Sequence, residues 1–262
     1  RDCIIVQSTN QPVQDHFFEL LLLVDTLRGS GATTIVGVIP YFGYSRQHAS
    51  FRQGECITAD MIFRMLKNLG MDEVITADFH NQEALNNTPL TVRNISVLSS
   101  LAKTIKDDLP LEEFVVVSPD EGGKDRANKF NQYIFGVNSP PVAFVKKNRD
   151  LNQPHALTHG GVIGDVKNKV VVLVDDICTT GGTLIQAAKA CVEKGAKGVV
   201  AAVIHADMNA NIPEFPGMDL IKKLYITDTI AFDMGPDGKI QVINIAVAFA
   251  DAIATAINTT ST

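Results

Sequence analysis

Apolar positions along the chain form two kinds of pattern. Short continuous apolar runs alternate with longer segments in which apolar residues recur every three or four positions. The first pattern is typical of strands buried in a parallel sheet, and the second of amphipathic helices. The predicted strands are 3–8, 35–39, 74–77, 114–117, 142–145, 170–174, 198–205, 224–227 and 240–243. The predicted helices are 17–29, 61–69, 98–105, 184–195 and 246–257. This alternation predicts an α/β fold with mostly parallel sheets.

The length of the chain, 262 residues, allows one large domain or two medium ones. Each half runs strand, helix, strand and polar loop, and no linker rich in Gly, Pro or Ser separates the halves. We place the boundary near residues 93–99. The predicted division is an N-terminal α/β domain over residues 1–95 and a C-terminal α/β domain over residues 96–262, whose last helix packs back on the first domain.

Composition narrows the classes of partner. The net charge of −6 disfavours a nucleic-acid partner. No apolar run approaches the roughly 20 residues of a membrane span, which disfavours a membrane partner. The four cysteines form no C-x-x-C pair, so reduced thiols in a cytoplasmic protein are expected.

The stretch 170–184 carries the strongest chemical signal. Its apolar strand meets two carboxylates, Asp175 and Asp176, where the strand is expected to end, and a helical pattern begins a few residues later. Free backbone N–H groups at a helix N-terminus bind anions, glycines let the backbone approach them, and threonine hydroxyls donate further hydrogen bonds. The loop in question consists of Thr179, Thr180, Gly181, Gly182 and Thr183.

The two carboxylates limit what this loop binds. Asp175 and Asp176 repel phosphate, so sugar hydroxyls or a magnesium ion must occupy them. Phosphate beside hydroxyls indicates a sugar phosphate. The stretch is not a P-loop, because it lacks the Gly-Lys-Ser/Thr ending.

Other polar residues follow the predicted strands, and each has a second interpretation. Arg46 and Gln47 suit a phosphate group, or belong to an ordinary surface loop. His80 suits a phosphate or a metal, or is structural. Asp120 and Glu121 suit Mg²⁺, or form an acidic helix N-terminus.

The cations after the strand 142–145 form one more candidate site. Lys147 and Arg149 open a polar segment that we expect to continue as a loop to Gly161. Such a loop can close over a charged transition state, and the alternative is a solvated cluster of charges.

Taken in order, these segments resemble the ribose-phosphate diphosphokinase (PRPP synthetase) family over nearly the whole chain. The resemblance lies in residues 44–47, 78–80, 118–123, 147–149, 174–183 and 239–243. Phosphoribosyltransferases share only the segment 174–183. The resemblance therefore favours the synthetase family over the transferases.

The resemblance implies two related phosphoribosyltransferase-like domains, each with a mostly parallel sheet flanked by helices. It implies transfer of a diphosphate group from MgATP to the anomeric hydroxyl of ribose 5-phosphate, with Mg²⁺ as cofactor. It also implies a homo-oligomer, commonly a hexamer, with phosphate and ADP as effectors. By position, the implied roles are ATP binding for Arg46, Gln47 and His80, metal-bound phosphates for His80 and Asp120, catalysis for Lys147 and Arg149, ribose hydroxyls for Asp175 and Asp176, and the 5-phosphate for Thr179, Thr180, Gly181, Gly182 and Thr183.

The chain departs from the family pattern in three places, and the first two leave alternatives open. The chain begins at what corresponds to a later strand of the family, so we expect either a fragment or a divergent form. His48 replaces a usual aspartate, and Thr179 replaces a common acid. The alternatives are a non-catalytic subunit that associates with active enzymes and regulates them, and, ranked last, a phosphoribosyltransferase.

Overall fold

The computed structural model describes residues 1–50, 52–110, 114–149, 157–208, 217–232 and 238–260. Residues 147–149, 157–160 and 258–260 are described by their backbone. The chain divides into two compact units. Unit 1 comprises Arg1–Val97 and Asn244–Thr262, and unit 2 comprises Leu98–Ile243.

Unit 1 is built on a parallel sheet of four strands in the order β1-β2-β3-β4. The strands are β1 Asp2–Val6, β2 Thr34–Ile39, β3 Glu73–Ala77 and β4 Thr91–Ile95, and the helices are α1 Val13–Gly29, α2 Thr58–Leu69 and α6 Ala246–Thr260, with a 3-10 helix at Gln82–Asn87. Alternate residues of a strand face opposite sides of the sheet. Ile35 and Ile39 pack into a core with α1 and α2, and α6 lies against β2, β3 and β4.

Unit 2 is built on a sheet of seven strands in the order β11-β10-β9-β8-β5-β6-β7. The strands are β5 Phe114–Ser118, β6 Ala143–Arg149, β7 Leu157–Ile163, β8 Val170–Cys178, β9 Gly198–Ala206, β10 Ile221–Thr227 and β11 Ile240–Ile243, and the helices are α3 Leu98–Asp108, α4 Lys124–Phe135 and α5 Gly182–Glu193. All neighbouring strands are parallel except β6 and β7. The predicted α/β class with parallel sheets flanked by helices is therefore confirmed.

The valine-rich run 170–174, predicted as a strand buried in a parallel sheet, lies in the middle strand of the unit 2 sheet. Val170 to Leu173 pair with β5 on one side and with β9 on the other. Val171 to Val174 are fully buried, which explains why this part of β8 is apolar at every position and does not alternate.

The structure corrects several of the predictions for the strands. The strand β4 was not predicted, because its half-buried residues alternate too weakly to stand out. Residues 157–161 were predicted as part of a loop, but the segment Leu157–Ile163 forms β7, antiparallel to β6. The strand β6 continues to Arg149, four residues beyond its predicted end, because pairing with β7 supplies hydrogen-bond partners to these polar residues.

The domain division predicted from the sequence and the division into two compact units differ in where they place the last helix. The sequence suggests a boundary at residues 95/96, whereas the contacts divide the chain at residues 97/98. The contacts also group α6 with unit 1, through its packing on β2, β3 and β4. Within the described ranges, no helix combines the length and apolarity needed to cross a membrane.

Candidate active site

Asp175 and Asp176 lie inside β8, not after its end. Pairing with β9 continues through Cys178, whereas pairing with β5 stops at Leu173. The carboxylates accept hydrogen bonds from the next backbone N–H groups, Asp175 from Asp176 at 3.0 Å and Asp176 from Ile177 at 2.9 Å. The sequence prediction that the strand ends before the two acids is wrong, because β9 and these side chains together extend it.

One guanidinium group binds both carboxylates. Arg126, in the first turn of α4, donates from Nη1 to Asp175 Oδ1 at 3.1 Å and from Nη2 to Asp176 Oδ2 at 2.8 Å. The exposed fractions of these side chains are 18%, 18% and 6% for Arg126, Asp175 and Asp176. Because one cation faces two partly desolvated anions, the cluster keeps a net negative charge if both acids ionise.

Burial, together with the presence of one cation for two carboxylates, raises the pKa of one member of the pair. The pKa of Asp175 is raised to about 7, first by burial and then by the charge of Asp176, while the Arg126 charge opposes the change. A group that exchanges a proton near neutral pH therefore lies beside a predicted sugar site.

The helix that follows β8 presents its N-terminus to this region of the sheet. Gly181 caps the 12-residue helix α5 in the left-handed conformation, with φ of +71°, and its carbonyl accepts from the Ile185 N–H at 2.9 Å. Thr180 and Thr183 are exposed on either side of the cap. The backbone N–H groups and exposed hydroxyls supply the donors that an anionic phosphate requires.

The loop between β5 and α4 leads from Asp120 to Arg126. Asp120 Oδ1 accepts from the Gly123 N–H at 3.0 Å, and its carbonyl accepts from the Ser118 hydroxyl at 2.6 Å. A Cβ placed on Gly123 would lie 2.7 Å from Ser118 Oγ and 3.3 Å from Arg126 Nη1. The absence of a side chain at Gly123 therefore leaves room for the guanidinium that binds the β8 acids.

In unit 1, Arg46 and Gln47 lie in the loop after β2. Both side chains are exposed. Gln47 is fixed on its α2 side, because its Oε1 accepts from the Thr58 hydroxyl at 2.6 Å and its carbonyl accepts from the Ala59 N–H at 3.3 Å. The loop therefore reaches α2 through both the side chain and the backbone of Gln47.

The start of the same loop is held by the β1–α1 connection. The Thr9 hydroxyl, fully buried, donates to the Tyr41 carbonyl at 2.9 Å and accepts from the Gly43 N–H at 2.7 Å. A Cβ on Gly43 would lie 2.3 Å from the Thr9 carbonyl, so this approach requires glycine. Tyr44 has a φ of +62°, and its hydroxyl accepts from Gln14 at 2.7 Å.

His80 lies in the loop after β3, where it approaches the Arg46 loop through a second histidine. The centroids of the His48 and His80 rings are 5.6 Å apart. Asn81, which follows His80, contacts His48 Nε2 through its Nδ2 at 3.0 Å. Within unit 1, the structure therefore brings together the loops that carry Arg46, Gln47 and His80.

Lys147 and Arg149 lie in the backbone of β6, paired with His159 and Leu157 of β7. They were predicted to lie in a loop that runs to Gly161, which is wrong for 147–149 and 157–161. The side chains of Lys147 and Arg149, and the whole of 150–156, lie outside the described part of the chain. Their predicted catalytic role stays a prediction.

Two residues that contact the candidate sites are missing from the sequence prediction. Arg126 is 49 positions from its first partner, and no local pattern marks it, although its place one turn into a helix after the Asp120 loop is a usable signal. Asn81 is 33 positions from His48 and follows a predicted site residue directly. Both act through tertiary contacts that periodicity does not show.

Comparison with known proteins gives consistent matches. Residues 1–70 match the N-terminal domain of ribose phosphate pyrophosphokinase, and residues 81–216 match the phosphoribosyl transferase domain. The ribose-phosphate pyrophosphokinase of Thermosipho africanus is 34% identical over 96% of this chain and 78% of its own length. That of Bradyrhizobium diazoefficiens is 36% identical over 97% of this chain and 78% of its own length.

A solved structure extends the match to three dimensions. The phosphoribosylpyrophosphate synthetase from Mycobacterium smegmatis superimposes with a TM-score of 0.88 and 28% identity, covering 98% of this chain and 83% of that chain. The resemblance seen in the sequence motifs is thereby confirmed. The chain belongs to the ribose-phosphate pyrophosphokinase family.

Proposed function

We propose that this protein is a ribose-phosphate diphosphokinase. It transfers the diphosphate of MgATP to the anomeric hydroxyl of ribose 5-phosphate and yields phosphoribosyl diphosphate and AMP. The observation that carries the proposal is the β8–α5 segment in a member of this family. There, two carboxylates bound to Arg126 precede a helix N-terminus lined with hydroxyls.

The sugar phosphate is assigned to unit 2. Ionised Asp175 and Asp176 can accept hydrogen bonds from ribose hydroxyls. Ionised phosphate oxygens have no hydrogen to donate, so they do not suit these carboxylates. The 5-phosphate is assigned to the loop Thr179, Thr180, Gly181, Gly182 and Thr183. This division matches each part of the substrate with the charge that suits it.

The nucleotide is assigned to Arg46, Gln47 and His80 of unit 1. The exposed Arg46 offers a planar fork of N–H donors for phosphate oxygens. The Gln47 side chain already accepts from Thr58, which leaves its amide nitrogen as the end suited to an acceptor on the nucleotide.

The proposed cofactor, Mg²⁺, fits the available groups. Among the described residues, no cluster of three or more His, Cys, Asp or Glu side chains forms a cage for a metal. Magnesium does not require one, since it binds through one or two carboxylates and completes its shell with substrate phosphates and water. Asp120 of unit 2 supplies a carboxylate of that kind, and the metal role that the resemblance implies for His80 stays a prediction. The ion would neutralise charge on the transferring phosphates.

The chemistry asks the protein for positioning and charge neutralisation. The anomeric oxygen attacks the β-phosphorus, the bond between the α- and β-phosphoryl groups breaks, AMP leaves, and the proton of the anomeric hydroxyl is released. Charge spreads over the oxygens of the transferring group, so fixed cations stabilise the transition state. Lys147 and Arg149 are proposed for that role.

The test of the function is AMP release from MgATP with and without ribose 5-phosphate, read by chromatography. AMP that forms only with the sugar phosphate supports the proposal. Lys147→Ala should then lower kcat by about a thousandfold, since it removes a cation used in the transition state. An unchanged kcat in Lys147→Ala would exclude that role. A wild-type chain that releases no AMP would favour the regulatory subunit.

The remaining proposals concern the oligomeric state, the effectors and the location of the protein. We propose a homo-oligomer, tested as a hexamer by light scattering, with phosphate and ADP as effectors that change the AMP-release rate. The four cysteines are free thiols, which suits the proposed cytoplasmic location.

A further inference from the structure

His48 has two hydrogen-bond partners that define its tautomer. Its Nδ1 lies 3.2 Å from the Ser45 carbonyl oxygen, and its Nε2 lies 3.0 Å from Asn81 Nδ2. A carbonyl oxygen only accepts, so Nδ1 carries the proton. The Nε2 lone pair then accepts from the Asn81 amide. This His48–Asn81 hydrogen bond, the bridge, requires the neutral imidazole.

The Asn81 amide is oriented independently of His48. Its Oδ1 accepts from the Glu83 N–H at 2.9 Å and so caps the 3-10 helix Gln82–Asn87. With the oxygen committed to that cap, the Nδ2 donor faces His48. The His48 ring therefore presents an acceptor, Nε2, and the Asn81 amide presents a donor, Nδ2, so the two groups are complementary.

The bridge joins the two loops that carry the proposed nucleotide contacts. On one side, Arg46 and Gln47 lie between Ser45 and His48 in sequence, within a turn closed by the bond to the Ser45 carbonyl. On the other side, His80 directly precedes Asn81, and its ring contacts the His48 ring. The His48–Asn81 hydrogen bond therefore links the turn that carries Arg46 and Gln47 to the residue that follows His80.

We propose that His48 is a positioning residue for the reaction, which sets the spacing between the Arg46–Gln47 loop and His80. The inference rests on the proposed function for the identity of the ligand, MgATP. In this proposal, His48 holds the two loops at the separation that a polyphosphate spans. The separation matters because small displacements of binding groups weaken ligand binding steeply.

The test compares variants that separate ring packing from hydrogen bonding. His48→Phe keeps a ring against His80 but has no nitrogen, and His48→Gln keeps one donor and one acceptor. His48→Phe should raise KM for MgATP about tenfold, with KM for ribose 5-phosphate within about twofold and the melting temperature within a few degrees. His48→Gln should restore KM for MgATP to within about threefold of the wild type.

A double-mutant cycle with Asn81→Ala isolates the bridge. The double variant should bind MgATP about as weakly as the weaker single variant, because each substitution removes the same bond. The proposal is overturned by an additive cycle, by a KM for MgATP in His48→Phe within about twofold of the wild type, or by equal rises in both KM values.

Failure of the proposed function is distinguishable from failure of the bridge. If the wild type releases no AMP, calorimetric binding of a non-hydrolysable ATP analogue replaces KM as the measured quantity. A wild type that binds the analogue about tenfold more tightly than His48→Phe supports the bridge without the reaction. A wild type that does not bind the analogue overturns both.

Discussion

The two candidate sites are built in different ways. In unit 2, the site follows one continuous stretch, from β8 through a glycine cap into α5, and an ion pair to Arg126 completes it. In unit 1, the site consists of loops after β2 and β3, held by Thr9, Thr58 and Asn81. The first site is mostly local in sequence, and the second depends on contacts between distant segments.

The difference also concerns the forces involved. The unit 2 site depends on charges, two carboxylates and one guanidinium on a buried strand and a helix. The unit 1 site depends on neutral hydrogen bonds that side chains form with one another and with the backbone. Losing a partner of a buried charge costs about 3–5 kcal/mol, whereas losing a neutral partner costs about 1–3 kcal/mol. Substitutions should therefore have larger effects in unit 2.

The largest effect is expected from Arg126→Met. This change leaves Asp175 and Asp176 adjacent, partly buried and without their cation, so the unfolding free energy should fall by about 3 kcal/mol. The pKa of Asp175 should rise further, since Arg126 opposes its increase. Binding of ribose 5-phosphate, measured by calorimetry, should weaken at least about a hundredfold, which corresponds to about 3 kcal/mol.

Arg126→Lys is the matched variant for that prediction. A lysine ammonium keeps the charge but lacks the planar fork that contacts both carboxylates. Arg126→Lys should regain part of the lost unfolding free energy, and it should bind ribose 5-phosphate with about a tenth of the wild-type affinity or more. If Arg126→Met bound the sugar phosphate as the wild type does, the assignment of the β8 acids to ribose would fail.

The second prediction concerns pH. The folded-state pKa of Asp175, about 7, lies above its ordinary value of 3.8, so between these values the folded protein binds the extra proton. The unfolding free energy should therefore fall as pH rises from about 4 to 7. Ribose 5-phosphate affinity should change in the opposite direction and rise with pH up to about 7, since the ionised carboxylate accepts the hydroxyls.

Asp175→Asn separates this proton from that of the substrate phosphate. The variant should be more stable than the wild type at pH 8, because it removes an anion that burial disfavours, and this advantage should shrink at pH 5. Denaturant unfolding at both pH values measures the difference. A wild-type stability that rises between pH 5 and 7 relative to Asp175→Asn would contradict the assignment.

The same contrast explains how far the sequence could predict this molecule. The buried strands of both sheets and helices such as α2 and α5 were predicted, because their apolar patterns are local and continuous. The edge strand β7 was not, since it contains two glycines and gains its order from pairing with β6. The proposed phosphate loop, residues 179–183, consists of adjacent residues, whereas the Arg126 and Asn81 contacts span 49 and 33 positions.

The smallest effect is expected from Thr9→Val in unit 1. Valine has the shape of threonine but neither donates to the Tyr41 carbonyl nor accepts from the Gly43 N–H, and both groups are buried with Thr9. The Tyr41 carbonyl still accepts from the backbone N–H of residue 9 at 3.0 Å, so the buried Gly43 N–H is the group that loses its partner, and the unfolding free energy should fall by about 2 kcal/mol. KM for MgATP should rise about threefold, since the Arg46 loop starts from this anchor.

Thr9→Ser keeps the hydroxyl and loses only a methyl group, so it should retain the loop contacts and a KM for MgATP near that of the wild type. Hydrogen exchange at the Gly43 amide provides a direct reading, because this N–H bonds to the Thr9 hydroxyl. Faster exchange in Thr9→Val than in Thr9→Ser is expected. Equal protection in the two variants would mean that the loop after β2 is held by Gln14 and Thr58 without this hydroxyl, and that the unit 1 site tolerates the loss of single contacts better than the unit 2 site does.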